Sequence, residues 1–273
     1  MKLNDRIRQT IQQRDSLLCV GLDVNPERIP SHLMKNDDPI FRFNKHIIDA
    51  TADLVVAYKP NLAFYEALGS EGWDILKRTV SYIPEGILKI GDAKRGDIGS
   101  TAEKYAEGLF ALGFDVVTVN PYLGWDSIAP FIKEEKRGVF VLCLTSNPSS
   151  HDFQYLQFKG KSLYQKVAEK VVQWNEKGNC GLVVGATHSD ELKEIRETAS
   201  DLPFLIPGIG AQGGDLETSV LTGTDGKGEM AIINSSRGII YASGGEDFAE
   251  AARRKAVKLR DGINRFRKRK EKK

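Results

Sequence analysis

The apolar run Ile87-Leu88-Lys89-Ile90 leads straight into Gly91-Asp92-Ala93-Lys94-Arg95-Gly96-Asp97, so a stretch that reads as a buried strand ends in four charges within six residues. On a strand, residues two apart point the same way, which sends Asp92 and Lys94 to one side and Ala93 and Arg95 to the other. Gly96 permits a turn. Ser100-Thr101-Ala102-Glu103 has the spacing of a capping box and predicts a helix starting at Ser100, which leaves Asp97 in the loop between. Lys59 closes another apolar run, Val55-Val56-Ala57, where a lysine is out of place unless it reaches the strand end. Neighbouring strands lie ~4.8 Å apart, so Lys59 and the Asp92/Lys94 pair should meet. Ammonium and carboxylate groups in alternation stay ionised in a partly dry site, because each is held by opposite charge. Such a group can deliver a proton and stabilise developing negative charge; an exposed ion-pair cluster is the bland alternative.

A second constellation suits an anion. Pro207-Gly208-Ile209-Gly210-Ala211-Gln212-Gly213-Gly214-Asp215 is followed one apolar segment later by Ser235-Ser236-Arg237-Gly238. Glycines allow close approach of backbone N–H groups to an anion, and an arginine adds a bidentate grip. The glycines alone could mark a mere turn.

These residues need a scaffold that brings them together. Eight segments rich in Val, Ile, Leu and Cys recur, at 16–22, 54–59, 87–92, 115–119, 139–145, 181–186, 204–209 and 230–235, each followed by a turn and an amphipathic stretch. Continuous apolar runs suggest strands buried on both faces, as in parallel sheets. Eight β/α units within 273 residues are the count of an α/β TIM (β/α)8 barrel, with a doubly wound sheet as the alternative. No Pro/Gly/Ser-rich linker divides the chain, so residues 1–273 are expected to form a single domain. Residues 2–14 read as a helix covering the bottom of the barrel. A last helix is expected from near Asp247, with Phe248, Ala252, Leu259, Ile263 and Phe266 on its inner face.

In a barrel, function gathers where strands end. The polar residues there are Asp23, Lys59, Asp92 with Lys94, Asn120, Ser146, Thr187 or His188, the GIGAQGG segment and Arg237. Turn chemistry explains Asn120, Asn147, His151 and His188 equally well.

Composition is ordinary for a globular chain, 41% hydrophobic and 28% charged, and no apolar run approaches the ~20 residues of a membrane span. The N-terminus carries no apolar signal segment, so a cytoplasmic location is expected. Cys19, Cys143 and Cys180 are scattered without CxxC spacing, which argues against a disulfide framework or a structural zinc site. The net charge of +2 conceals an uneven distribution: residues 253–273 carry 12 Lys/Arg against Asp261 and Glu271, leaving 27 basic and 35 acidic groups, a balance of −8, on the rest. A solvated helix end is the plain reading of that tail, and removal from Arg267 onward is expected to leave catalysis nearly intact.

The motifs DAKRGDI, GLDVNP, VAYKPNLAFYE, TSNPSS, PGIGAQGGD and NSSRGI occur in order along most of the chain and resemble those of the orotidine 5′-phosphate decarboxylase family, with the wording DAKRGD similar to its longer bacterial branch. The resemblance implies a homodimer of TIM barrels that converts orotidine 5′-phosphate into uridine 5′-phosphate and CO2, the last step of UMP biosynthesis, with no metal or organic cofactor. It implies Lys94 as proton donor to pyrimidine C6, Asp92 near the departing carboxylate, Lys59 between the acids and the ribose, and Asp23 on a ribose hydroxyl. Asp97, Ile98 and Thr101 would come from the partner subunit. Ser146 would read the pyrimidine edge, while Gln212, Gly213 and Arg237 would hold the phosphate. Residues 213–229 do not align with the family pattern. The chain leaves no room for a fused phosphoribosyltransferase domain, so another protein is expected to supply the substrate.

Two rivals remain on the sequence. A magnesium-dependent sugar-phosphate decarboxylase or synthase of the same superfamily also uses D-x-K-x-x-D, but carries an acidic ligand where this chain has Lys59, and Mg²⁺ prefers oxygen. A polyanion-binding protein could use the basic tail. Only Phe266 lies among those charges as a stacking group, so neither nucleic acid nor membrane is expected as a partner.

Overall fold

The strands form where the chain runs apolar without alternation, because a segment surrounded on both faces can bury every side chain. The computed structural model describes residues 1–187, 189–209 and 215–270. Among them, eight strands are β1 (Leu18–Gly21), β2 (Ala57–Lys59), β3 (Leu88–Arg95), β4 (Val116–Val119), β5 (Gly138–Leu144), β6 (Cys180–Val184), β7 (Phe204–Pro207) and β8 (Ala231–Ser235). Each pairs in parallel with its neighbour in sequence, and β1 pairs with β8, so the sheet closes. Closure removes the doubly wound alternative and leaves no exposed sheet edge. Every predicted strand segment is present. Cys19, Cys143 and Cys180 are all buried and unpaired, acting as small apolar side chains.

Helices surround the barrel: α1 (Leu3–Arg14), α2 (Pro39–Thr51), α3 (Leu62–Glu66), α4 (Gly69–Tyr82), α5 (Gly99–Ala111), α6 (Trp125–Ile128), α7 (Leu163–Trp174), α8 (Ser189–Thr198), α9 (Leu216–Gly223), α10 (Arg237–Ile240) and α11 (Phe248–Lys270). The first helix lies under the barrel as expected. Its Asn4 side chain donates to the Cys180 carbonyl at the start of β6, and Arg6 pairs at 2.7 Å with Asp115, just before β4. A short hairpin, Gln157–Phe158 with Lys161–Ser162, follows β5.

Two local expectations fail. The capping box at Ser100 does not form: α5 begins at Gly99, after Ile98 as N-cap, with no side-chain cap. Gly99 takes φ +55°, which turns the chain one residue early, and Glu103 reaches out to Lys133 at 2.7 Å instead of back to the helix start. The basic tail is also no loose end. Phe266 and Arg267 are buried, Arg267 pairs with Asp15, Arg269 pairs with Glu217 at 2.9 Å, and Lys270 donates to the Thr224 carbonyl at 2.7 Å. A cut at Arg267 would therefore remove packed residues. The reason is visible in the apolar spacing: Ile263 and Phe266 keep the helix against the body, and the neighbouring cations find acceptors there.

Candidate active site

The mouth of the barrel is built from strand ends. Lys59, last residue of β2, lies beside Gly21 of β1 in the sheet register. A Cβ on Gly21 would sit 1.9 Å from the Ser236 hydroxyl, so any larger residue there would force Ser236 to move. That close approach joins the first strand to the loop carrying Arg237.

On the other side of Lys59, β3 departs from regular pairing. Gly91 lies opposite Val117 and Arg95 opposite Val119, so four steps on β3 span two on β4. Lys94 takes φ +48° within this bulge. The flat-pleat argument thus reaches the right outcome for the wrong reason: Asp92 and Lys94 do share the cavity, but through a bulge with a left-handed lysine, not through plain alternation. Arg95 does turn away, pairing with Glu66 and lying 5.3 Å over the Tyr105 ring.

The three charges form a chain of contacts. Lys59 Nζ donates to Asp92 Oδ2 at 2.7 Å, and Lys94 Nζ to Asp92 Oδ1 at 2.5 Å. The side chains of Lys59 and Asp92 are only 4% and 12% exposed, while that of Lys94 is 49% exposed. The inner pair is therefore a fixed ionic base, and Lys94 is the member presented to a ligand. Burial by itself would push Lys59 down, yet the charges of Asp92 and Asp23 outweigh it and hold the ammonium above its ordinary range. Burial likewise favours a neutral Asp92, but Lys59 and Lys94 together hold its carboxyl well below the usual carboxylate range. Cys19, beneath them, is pushed up to about 12, chiefly by burial and against the field of Lys59, so its thiol stays neutral.

A cavity of about 440 Å³ opens above these charges. Asp23, Lys59, Asp92, Lys94, Ser146 and Arg237 all line it, as the strand-end reading expects. Leu142, Leu144, Val183, Leu205 and Ile209 supply an apolar floor. Asp23 Oδ1 and Asn234 Oδ1 are buried acceptors without a hydrogen-bond partner among the described residues, a state that calls for donors from a ligand. Arg237 opens α10 and makes no ion pair among the described residues. One turn on, the Tyr241 hydroxyl accepts from the Asn25 N–H at 2.6 Å and donates to the Asp23 carbonyl at 3.2 Å, tying the Arg237 segment to the Asp23 loop. After β5, Gln154 holds both the N–H and the hydroxyl of Thr145 at 2.8 Å, which steadies the segment carrying Ser146. An apolar floor, a cationic wall and unpaired acceptors suit a planar, polar-edged ligand with an anionic end.

Other expected residues lie elsewhere. Asp97, Ile98 and Thr101 do not line this cavity; Asp97 Oδ1 accepts from the Ile98 N–H at 2.8 Å, and Ile98 is 57% exposed. Gln212, Gly213 and His188 fall outside the described residues. Asn120 accepts from the Tyr122 N–H, and His151 stacks on Tyr155 with ring centres 4.1 Å apart, so turn and packing chemistry account for both. Thr187 is exposed and away from the cavity, whereas Asn147 lines it while accepting from the Thr145 hydroxyl at 2.6 Å. Sequence reasoning did not single out Thr118 or Asn234, both in the cavity wall, whereas Ser235, from the Ser-Ser-Arg-Gly stretch, does line it. The signal for Thr118 and Asn234 was a polar residue inside an apolar run, in Val-Val-Thr-Val and Ala-Ile-Ile-Asn.

Comparison with known proteins follows the same lines. The sequence profile of the orotidine 5′-phosphate decarboxylase / HUMPS family matches residues 16–254. A curated orotidine 5′-phosphate decarboxylase of Dehalococcoides mccartyi (strain CBDB1) is 50% identical over 274 aligned residues, covering 98% of this chain and all of its own. The solved OMP decarboxylase of Leishmania donovani superposes with a TM-score of 0.85 at 38% identity, covering 98% of this chain and 99% of its own. The UMP synthase of the same organism gives 0.88 at 40% identity, and there the chain spans 57% of the longer protein.

Proposed function

This chain belongs to the orotidine 5′-phosphate decarboxylase / HUMPS family, and from that premise we propose how it turns orotidine 5′-phosphate into uridine 5′-phosphate and CO2, the last step of UMP synthesis. The observation that carries the reading is the Lys59–Asp92–Lys94 chain lining the cavity, with its outer ammonium presented to the ligand space. Loss of CO2 breaks the bond from C6 to the carboxylate carbon and leaves the electron pair on C6. No neighbouring carbonyl accepts that pair, so a fixed cation must stabilise it. Lys94 serves as that cation and then delivers its proton to C6. Asp92 orients Lys94 and sits beside the departing carboxylate, while Lys59 locks Asp92 and reaches toward the ribose.

The remaining residues bind. Asp23, with its unpaired Oδ1, accepts from a ribose hydroxyl; Ser146 meets the pyrimidine edge; Arg237, with Gln212 and Gly213, holds the phosphate. Remote binding of a dianion contributes energy that the reacting ring cannot supply itself. The reaction needs neither metal nor organic cofactor, since one ammonium both stabilises the charge and protonates it. Asp92 is already taken up by two lysines, and Lys59 stands where a metal-dependent relative would place a carboxylate, which speaks against the magnesium reading.

The chain acts as one barrel unit, paired with a second copy across the loops after β3 and β4. Those loops expose Ile98, Tyr122, Leu123 and Trp125, an apolar face suited to a partner. In that homodimer Asp97, Ile98 and Thr101 complete the partner's site, which accounts for their absence from this cavity. Three unpaired buried cysteines fit a reducing, cytoplasmic setting, and no described helix is long and apolar enough to cross a membrane. The test is direct: purified protein, with and without EDTA, is mixed with orotidine 5′-phosphate and loss of pyrimidine absorbance is followed. Turnover insensitive to EDTA is expected; no turnover would sink the reading.

A further inference from the structure

The bulge in β3 has a backbone cost that one side chain meets. Between Gly91 and Arg95 the strand loses its pairing with β4, because three residues sit opposite one. Asp92 N–H finds an acceptor on the other side, the Pro60 carbonyl at 3.0 Å. Lys94 N–H finds no carbonyl partner among the described residues; it donates instead to the hydroxyl of Thr118 at 2.9 Å. A non-glycine residue at φ +48° persists only where its surroundings hold it, and an unmet N–H there would favour a relaxed strand.

The same hydroxyl has a second partner. Thr118 Oγ1 donates to Asp92 Oδ1 at 3.1 Å, the oxygen that also receives Lys94 Nζ, while Oδ2 is occupied by Lys59. One side chain, only 1% exposed, thus holds both the backbone of Lys94 and the carboxylate that its ammonium meets. The hydroxyl has one proton, and its use on Asp92 leaves a lone pair for Lys94 N–H, so the two bonds are compatible and mutually strengthening.

We propose that Thr118 is a positioning residue for the decarboxylation: by replacing the strand partner missing at the bulge and fixing Asp92, it aims the Lys94 ammonium at the reacting carbon. The positioning belongs to the hydroxyl of Thr118 and not to its methyl group. This inference rests on Lys94 being the proton donor. It differs from a structural role in what it predicts, because a misaimed proton donor slows chemistry while leaving binding of the product nucleotide unchanged.

Three variants separate the possibilities: Thr118→Val, which keeps the shape and removes the hydroxyl, Thr118→Ser, which keeps the hydroxyl, and Thr118→Ala as the match for Ser should Val fail to fold. Loss of a hydrogen bond to a charged group and release of the strained lysine should lower kcat roughly 10–100-fold in Val and Ala. Ser should stay within about threefold of the parent, and the dissociation constant for uridine 5′-phosphate should change less than about threefold in all three. A Val or Ala variant with parental kcat, or a Ser variant as slow as Ala, overturns the proposal. So does a fall in nucleotide affinity that matches the fall in rate. If the parent protein itself shows no turnover, it is the assignment of the reaction that fails, and the two failures are told apart by that control.

Discussion

Lys59→Met tests whether the buried pair is as costly to break as its burial implies. The substitution keeps the length of the side chain and removes its charge, leaving Asp92, 12% exposed, with Lys94 as its one remaining cation. Removing one partner of a buried ion pair costs about 3–5 kcal/mol, because the surviving charge has been taken out of water without compensation. The sign of the pH dependence follows from Asp92. In the parent its folded-state pKa is depressed, so its stabilising contribution is full above the unfolded value of ~3.9 and fades as pH falls below it. In the variant, burial acts with one lysine fewer to oppose it, and the folded pKa moves up toward or past that unfolded value. The variant then loses little on acidification, or gains, while the parent loses. Urea unfolding at pH 7 and pH 4 should therefore show a deficit of about 3–5 kcal/mol at the higher pH that is smaller at the lower pH. The double variant Lys59→Met/Asp92→Asn should be more stable at pH 7 than Lys59→Met alone, since Asp92 is no longer a buried anion short of a partner. A deficit below about 1 kcal/mol, or one independent of pH, would refute the account of this pair.

Further outcomes follow from other parts of the site. Inactive Lys94→Ala and Asp97→Ala proteins, mixed in equal amounts and allowed to exchange subunits, should regain about a quarter of the parental activity, because half the dimers are hybrid and each has one intact site. Exchange demonstrated by mass spectrometry without recovered activity would refute the shared site. Arg237→Ala should lower kcat/KM for orotidine 5′-phosphate roughly 10–100-fold, with a much smaller effect on the phosphate-free nucleoside; equal losses on both would remove Arg237 from the phosphate. Arg267→Ala should destabilise by about 1–3 kcal/mol in thermal or urea unfolding, through lost packing and its link to Asp15, whereas truncation after Lys270 should change neither stability nor turnover.

The barrel was readable because eight apolar runs, each followed by an amphipathic stretch, match the count of a closed β/α barrel, and each strand lies where its run does. Asp23, Lys59, Asp92, Lys94, Ser146 and Arg237 were findable for a related reason: a charge or hydroxyl closing such a run must sit at the mouth. What escaped was local. Alternation along β3 carries no hint that the strand bulges by two residues, since the backbone there is held by tertiary contacts, Asp92 N–H on the Pro60 carbonyl and Lys94 N–H on the Thr118 hydroxyl, and Lys94 at φ +48° does not follow from its own propensity. The S-x-x-E spacing at Ser100 is a genuine capping signal, overridden because Gly99 turns the chain first and Lys133 offers Glu103 a partner. Arg267 looked solvated because charge dominates its neighbourhood in sequence, while its burial depends on Asp15, more than 250 positions away.

The central claim is that Lys94 carries the proton that C6 receives. A donor that protonates C6 in the forward direction must remove it in reverse, so the enzyme should exchange H6 of uridine 5′-phosphate with solvent. The measurement is proton NMR of uridine 5′-phosphate incubated with the protein in D2O. The account predicts steady loss of the H6 signal with the parent protein, with H5 unchanged, and no loss with Lys94→Ala at nucleotide concentrations that saturate it. Exchange that persists undiminished in Lys94→Ala, or is absent from a parent protein that turns over orotidine 5′-phosphate, would contradict it.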